Sequence, residues 1–263
     1  MAAQEISNTA LIFALLLLTI PLVLSRIFGL KIVKPTLTSV GRMGLQLFLM
    51  AIFLRYLFQW NSGWINIAWL VVMMVVASFS VVRNSALNRR IFLVPVFLSF
   101  FLSVGCILIY FNTLIIRLED LLNARYFVVI GGMLMGNSLR GNIIGISNFY
   151  KDIKRNEERY LYRLALGATV TEATMPFFRN SLVSALRPTI ASMATIGIVF
   201  IPGMMTGQIL GGASPVTAIK YQIAIMVAIF VITAVTITLT IFLTLKRSTN
   251  EAGLLREDVF RGE

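Results

Sequence analysis

The stretch YQIAIMVAIFVITAVTITLTIFLTL, Tyr221 to Leu245, runs for 25 residues without a single charged side chain. About 20 apolar residues suffice for a helix to cross the hydrocarbon core of a bilayer, so this run reads as a membrane span. It sets the terms for the rest of the chain. The whole sequence is 58% hydrophobic and 13% charged, where soluble domains have about 45–50% apolar and about 25% charged residues.

Working outward, six further apolar runs fit the same reading: Ile6–Ser25, Pro35–Gln59, Ile65–Val82, Ile91–Phe111, Leu122–Ser147 (interrupted by Arg140) and Thr189–Leu210. The fold expected is all-α, a polytopic membrane protein of about seven transmembrane helices. The first run lacks the positive charge that precedes the apolar part of a signal peptide. Glu5 stands before it and Arg26, Lys31 and Lys34 after, so it reads as a retained span. Residues 1–263 form one transmembrane domain on this reading.

Orientation follows from where the cations fall, since cytoplasmic loops hold most Lys and Arg. With the N-terminus outside and the C-terminus cytoplasmic, 19 of the 23 Lys and Arg lie on the inner side or its flanks. The remaining four are Arg55, Arg117, Arg125 and Lys220. The formal net charge of +12 thereby reads as the ordinary basicity of an inner membrane face beside anionic lipid, and no nucleic-acid partner is expected. A single cysteine, Cys106, excludes an internal disulfide, and the absence of histidine removes the commonest metal ligand and proton shuttle.

Connections on the outer side are short, so the largest polar element is the inner segment from about 149 to 188. Lys151, Arg155, Arg159 and Arg163 recur every four residues, which on one helix makes a basic column. Tyr160, Leu161, Leu164, Ala165 and Ala168 form an apolar stripe on the opposite face. Gly167 weakens a helix and Pro176 ends or bends one, so two short helices with a turn are expected. Two uses remain open from the residues alone: an amphipathic helix resting on the inner leaflet, or a docking helix for a cytoplasmic partner.

LALGAT, Leu164–Thr169, followed about twenty residues later by a span opening RPT, resembles the coupling segment of ABC-transporter permeases. Gly167 matches the central glycine of that motif. The chain departs from it at Leu161, where an acid is usual, and at Arg179 and Asn180, where Leu-Pro is usual. Longer stretches narrow the resemblance. SMATIGIVFIPGMMTGQILGGASP (Ser192–Pro215), YQIAIM (Tyr221–Met226) and GGMLMGNSLRGN (Gly131–Asn142) are closely similar to the FetB-type permease family, described as iron exporters and including plant aluminium-tolerance permeases.

The resemblance implies a permease of the bacterial inner membrane, exporting iron or another metal, paired as a homodimer and driven by a separate ATPase subunit. It also implies that Arg159, Arg163, Leu164, Ala165, Leu166, Gly167, Ala168 and Thr169 couple to that ATPase. No cofactor is expected on this chain, and ATP and Mg are expected on the partner. The chain has no GxxxxGK[ST] phosphate loop, so an enzyme activity of its own by that route is not expected. A lipid-modifying enzyme would collect His, Asp or Glu at the membrane surface, a pattern the chain lacks. The alternative transport reading is a self-contained channel or ion-coupled secondary transporter.

For the transport path, Pro202 and Gly203 break or kink the sixth span, and freed backbone is tolerated at that depth only where protein or water satisfies it. Met204, Met205, Thr206 and Gln208 then line a polar seam. The bland alternative is that Pro and Gly are common in membrane helices and that Met fills gaps. In the fifth span Asn137, Arg140 and Asn142 are costly neighbours for lipid, although Arg140 has the reach to snorkel to the inner interface. Metal ligands are not identifiable. No carboxylate lies in any span, and thioethers suit soft ions better than iron, so iron rests on the resemblance alone.

Overall fold

The computed structural model describes residues 7–250 and 252–260. Glu5, Ile6 at the start of the first expected span, and Arg261 lie outside them. Among the described residues ten α-helices follow one another: α1 (Asn8–Leu16), α2 (Thr19–Ile27), α3 (Val33–Trp60), α4 (Gly63–Asn84), α5 (Arg89–Tyr110), α6 (Ala124–Arg155), α7 (Glu157–Ala165), α8 (Val170–Thr195), α9 (Gly203–Leu210) and α10 (Pro215–Ser248). A π-helical turn, Phe111–Ile116, prolongs α5. The protein is an all-α, multi-pass membrane protein, and six helical stretches among the described residues are long and apolar enough to cross a bilayer.

Five of the expected spans fall on α1–α2, α3, α4, α5 and α6, and the last on α10. The expected sixth, Thr189–Leu210, is not a continuous helix. Thr189–Thr195 are the last turns of α8, 196–202 is non-helical, and Gly203–Leu210 is α9. The break is longer and earlier than the proline alone suggests. Gly197 adopts φ +82°, its N–H donates to the Phe200 carbonyl at 2.9 Å, and Pro202 then caps α9. The expected stop at Pro176 is also corrected, because α8 runs unbroken through Pro176 and Pro188. The boundary is Gly167, at φ +88°, a conformation that favours glycine.

The core is built on α6. Gly141 and Gly145 let α8 and α10 approach it closely: a Cβ at 141 would stand 2.5 Å from Thr233 Cγ2, and one at 145 would stand 2.9 Å from Ile237 Cδ1 and 3.2 Å from Ala185 Cβ. Small residues at such crossings replace the hydrophobic drive that lipid removes. The pairs 141–233 and 145–237 ascend together, so α10 runs parallel to α6. The Phe178–Phe242 contact on one side and the facing of Ala185–Ser192 with Gln222–Ile229 on the other make α8 antiparallel to α10.

Most hydroxyls within the bundle find partners, as lipid demands, the Thr240 hydroxyl being an exception among the described residues. Thr233, Thr236, Thr240, Thr244 and Ser248 form a buried stripe along α10. Thr233 and Thr236 return their hydroxyls to the carbonyls of Ile229 and Ile232, each at 2.7 Å. Thr236 also shares a 2.6 Å hydrogen bond with Ser103 of α5, and the Tyr150 hydroxyl of α6 donates to Thr244 at 2.6 Å.

The two ends of the bundle are tied differently. At one end Asn61, in a left-handed cap, accepts from the Ala124 N–H at 2.8 Å, and Asn66 donates to the Leu122 carbonyl at 2.7 Å. The other end carries the α4–α5 turn and the basic termini of α6 and α10, and there the C-terminal tail folds back. Asn88 donates through its backbone to the Val259 carbonyl at 2.9 Å and through its side chain to that of Asp258 at 2.8 Å. Lys154 lies 4.8 Å above the Phe260 ring.

Gly145→Ala is expected to lower the thermal stability of the purified protein by about 1–3 kcal/mol, since the added methyl overpacks a closed contact. Gly105→Ala, whose Cβ would meet nothing within 4 Å, is expected to be neutral or to stabilise by up to about 1 kcal/mol. Detergent-phase thermal unfolding of the two variants checks both.

Candidate functional site

Two features separate themselves from the packed core, a cavity within the bundle and a knuckle at the basic end, and α8 connects them.

The cavity, about 540 Å³, lies between α6, α8, α10 and the break that precedes α9. From α6 it takes Met133, Asn137 and Arg140, spaced as one helical face. Pro188, Thr189 and Ser192 of α8, Phe200 to Met204 of the break and α9, and Gln222 and Met226 of α10 complete it. Of the residues expected on a transport path, Asn137, Pro202, Gly203 and Met204 meet here. Met205, Thr206 and Gln208 do not line it. Thr206 returns its hydroxyl to the Pro202 carbonyl at 3.1 Å, and Gln208 buries an Oε1 with no partner among the described residues. Asn142 is fully buried and donates to the Ser138 carbonyl at 2.9 Å, so it serves the core.

Arg140 is exposed and lines the cavity less than one helical turn from Ile143, whose carbonyl accepts from Ser85 of the α4–α5 turn at 3.4 Å. The cavity's guanidinium therefore sits in the half nearer the basic end. Gln222, 7% exposed, was missed in the sequence. An amide inside an otherwise apolar run was the available signal, because burying an unpaired amide among apolar residues costs about 1–3 kcal/mol. Its Oε1 has no hydrogen-bond partner among the described residues. No group of three His, Cys, Asp or Glu comes together among those residues either.

The knuckle joins α7 to α8. Asn156 breaks the expected basic column after Arg155, so Lys151 and Arg155 belong to α6 and Arg159 and Arg163 to α7. At the end of α7 the Gly167 N–H donates to the Leu164 carbonyl at 2.9 Å and the Ala168 N–H to that of Arg163 at 3.1 Å. This is the Schellman closure that glycine in left-handed conformation allows. Thr169 then opens α8 with a capping box, its hydroxyl accepting from the Glu172 N–H while the Glu172 carboxylate accepts from the Thr169 N–H at 2.8 Å.

The eight residues assigned to coupling therefore lie on α7 and the turn that joins it to α8. Leu166 is 70% exposed at its tip and Tyr162 66% exposed beside it, while Arg159, Ala165, Gly167 and Thr169 are also exposed. Beneath them Tyr160 is buried and donates its hydroxyl to the Gly253 carbonyl of the tail. Gly253 (φ +76°) packs closely enough that a Cβ there would stand 3.0 Å from Val170 and 3.4 Å from Leu164. The knuckle is braced from below and open above. Burial raises the Tyr160 pKa, and hydrogen bonds from Thr169 hold the Glu172 carboxyl below its ordinary value.

Residues 8–248 match a family model described as "Uncharacterised protein family (UPF0014)". Protein ALUMINUM SENSITIVE 3 of Arabidopsis thaliana is 32% identical over 219 residues, 81% of this chain and 77% of the relative. The probable iron export permease protein FetB of Escherichia coli (strain K12) is 30% identical over 229 residues, 86% of this chain and 85% of the relative. The membrane protein slr1647 of Synechocystis is 29% identical over 218 residues, 81% of this chain and 84% of the relative. No solved structure matches the chain.

Because the folded pKa of Glu172 is depressed, its capping contribution is present above the ordinary carboxylate value and is lost as pH falls through the lowered one. Hydrogen-exchange protection factors of the Thr169 and Glu172 amides, the two that the capping box binds, are expected to fall on that descent. In Glu172→Ala the protection of the Thr169 amide is expected to be low at every pH.

Proposed function

We propose that this chain, which belongs to the UPF0014 family, is the permease subunit of an ABC exporter whose ATPase is a separate protein that docks on the α7–α8 knuckle. The observation that carries the reading is the knuckle itself: a rigid turn with apolar Leu166 and Tyr162 presented outward on a face the chain leaves open. The name of the bacterial relative, a probable iron export permease, supports iron as the exported metal. The pairing of two permease copies is part of the same reading.

The mechanics follow from α8. One end of this helix is locked to the knuckle by the Thr169–Glu172 capping box, and its other end supplies Pro188, Thr189 and Ser192 to the cavity. A helix of 26 residues is about 39 Å long and transmits displacement along its axis. A partner that moves the knuckle on binding or hydrolysing ATP therefore shifts the cavity wall. The non-helical segment at 196–202 absorbs the change, as hinge residues at element ends do. The tail, held by Tyr160 and Asn88, keeps the knuckle from moving independently of the α4–α5 turn.

Co-expressed with a candidate phosphate-loop ATPase from the same genome, the wild-type permease is expected to retain the ATPase through purification. Leu166→Asp is expected to lose it, because an apolar contact at the centre of a docking site accounts for about 2 kcal/mol or more, while thermal stability is unchanged. Undiminished retention in Leu166→Asp and in Gly167→Arg sinks the docking reading.

A further inference from the structure

The cavity has the chemistry of an anion site. Arg140 is the one charged residue among those that line it, and none of them is acidic. The single ion pair among the described residues joins Arg256 to Asp258 in the tail, so Arg140 has no carboxylate partner among them. A guanidinium at the edge of an apolar bundle, without a counter-charge, is costly unless something anionic or water covers it. The rest of the wall supplies neutral hydrogen-bonding groups, Asn137, Thr189, Ser192 and Gln222. Gln222 is the second feature of the cavity wall: it is 7% exposed, and its Oε1 has no hydrogen-bond partner among the described residues. Rotation of that amide offers two N–H donors to the cavity.

We propose that this cavity binds an oxyanion, a carboxylate- or phosphate-bearing solute gripped by Arg140 and hydrogen-bonded by Gln222. The planar guanidinium presents paired N–H donors that match two oxygens of such a group. The inference deepens the transport reading and rests on it for identifying the cavity as the cargo's route. If iron is the metal carried, it leaves as an anionic chelate, with oxygen ligands supplied by the chelator rather than by the protein. That accounts for a wall that contains methionines but no carboxylate, imidazole or thiolate. The competing occupant is a bare soft cation held by Met133, Met204 and Met226. A guanidinium in the same chamber repels it.

The test is equilibrium binding to the purified full-length chain in neutral detergent, using citrate, ferric citrate, inorganic phosphate and dioctanoyl phosphatidylglycerol as probes, with ferrous and silver ions as cation controls. At least one of the four anionic probes is expected to bind, more weakly as salt is raised. Arg140→Gln is expected to weaken it by about tenfold or more, and Arg140→Lys less. Gln222→Leu, which removes the amide but keeps an apolar helix, is expected to weaken it several-fold. Arg179→Gln, outside the cavity, is expected to bind like wild type. The ferric citrate, free phosphate and phospholipid arms tell a chelate, a soluble anion and a lipid headgroup apart.

Absence of binding by all four anions, binding unchanged in both Arg140→Gln and Gln222→Leu, or tight silver binding without any anion overturns the inference. ATPase retention is scored in parallel on the same preparations. Anion binding with no ATPase retained leaves this inference standing and removes the docking one, and the reverse result removes this one alone.

Discussion

The contact on which the rest of the structure depends is the close crossing of α6 with α8 and α10 at Gly141 and Gly145. In lipid there is no hydrophobic gain from bringing helices together, because the surrounding chains are as apolar as leucine. Association must come from packing and internal hydrogen bonds. Two glycines one turn apart supply the first by removing the Cβ atoms that would meet Thr233, Ile237 and Ala185. The threonine stripe of α10 supplies the second, joined to α5 through Ser103 and to α6 through Tyr150. Once these three helices are fixed, the cavity is the space they fail to fill between Met133 and Arg140.

That space is kept open by the break that follows α8. Had Thr189–Leu210 formed one helix, its side chains would have packed the gap that Phe200, Ile201 and Pro202 now border. A non-helical stretch at this depth needs internal partners for its backbone, and the Gly197–Phe200 hydrogen bond is one. The same stretch leaves Ile198 88% exposed, as an apolar loop in hydrocarbon or against a second copy can be. A non-helical backbone and an exposed apolar side chain are thus combined in one short segment beside the cavity, with a 26-residue helix leading from it to the knuckle.

At the basic end the tail performs the task that the loops perform at the other. Its contacts through Asn88, Tyr160 and Gly253 join three pieces of chain distant in sequence. The knuckle is therefore part of the bundle mechanically while its upper face stays free. A surface presented in this way suits a partner that both binds and pushes, because a loosely attached helix would move without moving anything else.

The sequence by itself determined the membrane class, because a charge-free run such as Tyr221–Leu245 has no other stable environment. It also placed a helix boundary at Gly167, although the helix that follows is not short but runs for 26 residues through Pro176. Asn137 and Pro202–Met204 were legible as cavity residues through their oddity in apolar surroundings. What only the tertiary structure decided depends on neighbours remote in the chain. Pro176 and Pro188 were tolerated inside α8, against their local preference, because packing on α6 and α10 holds the helix together. The basic column was cut at Asn156, where the chain turns beneath the bundle. Gln222 became a site residue only when α10 was seen to face α6 and α8 across the cavity. The tail's role as a brace had no local signature at all, since it consists of contacts between segments up to 170 residues apart.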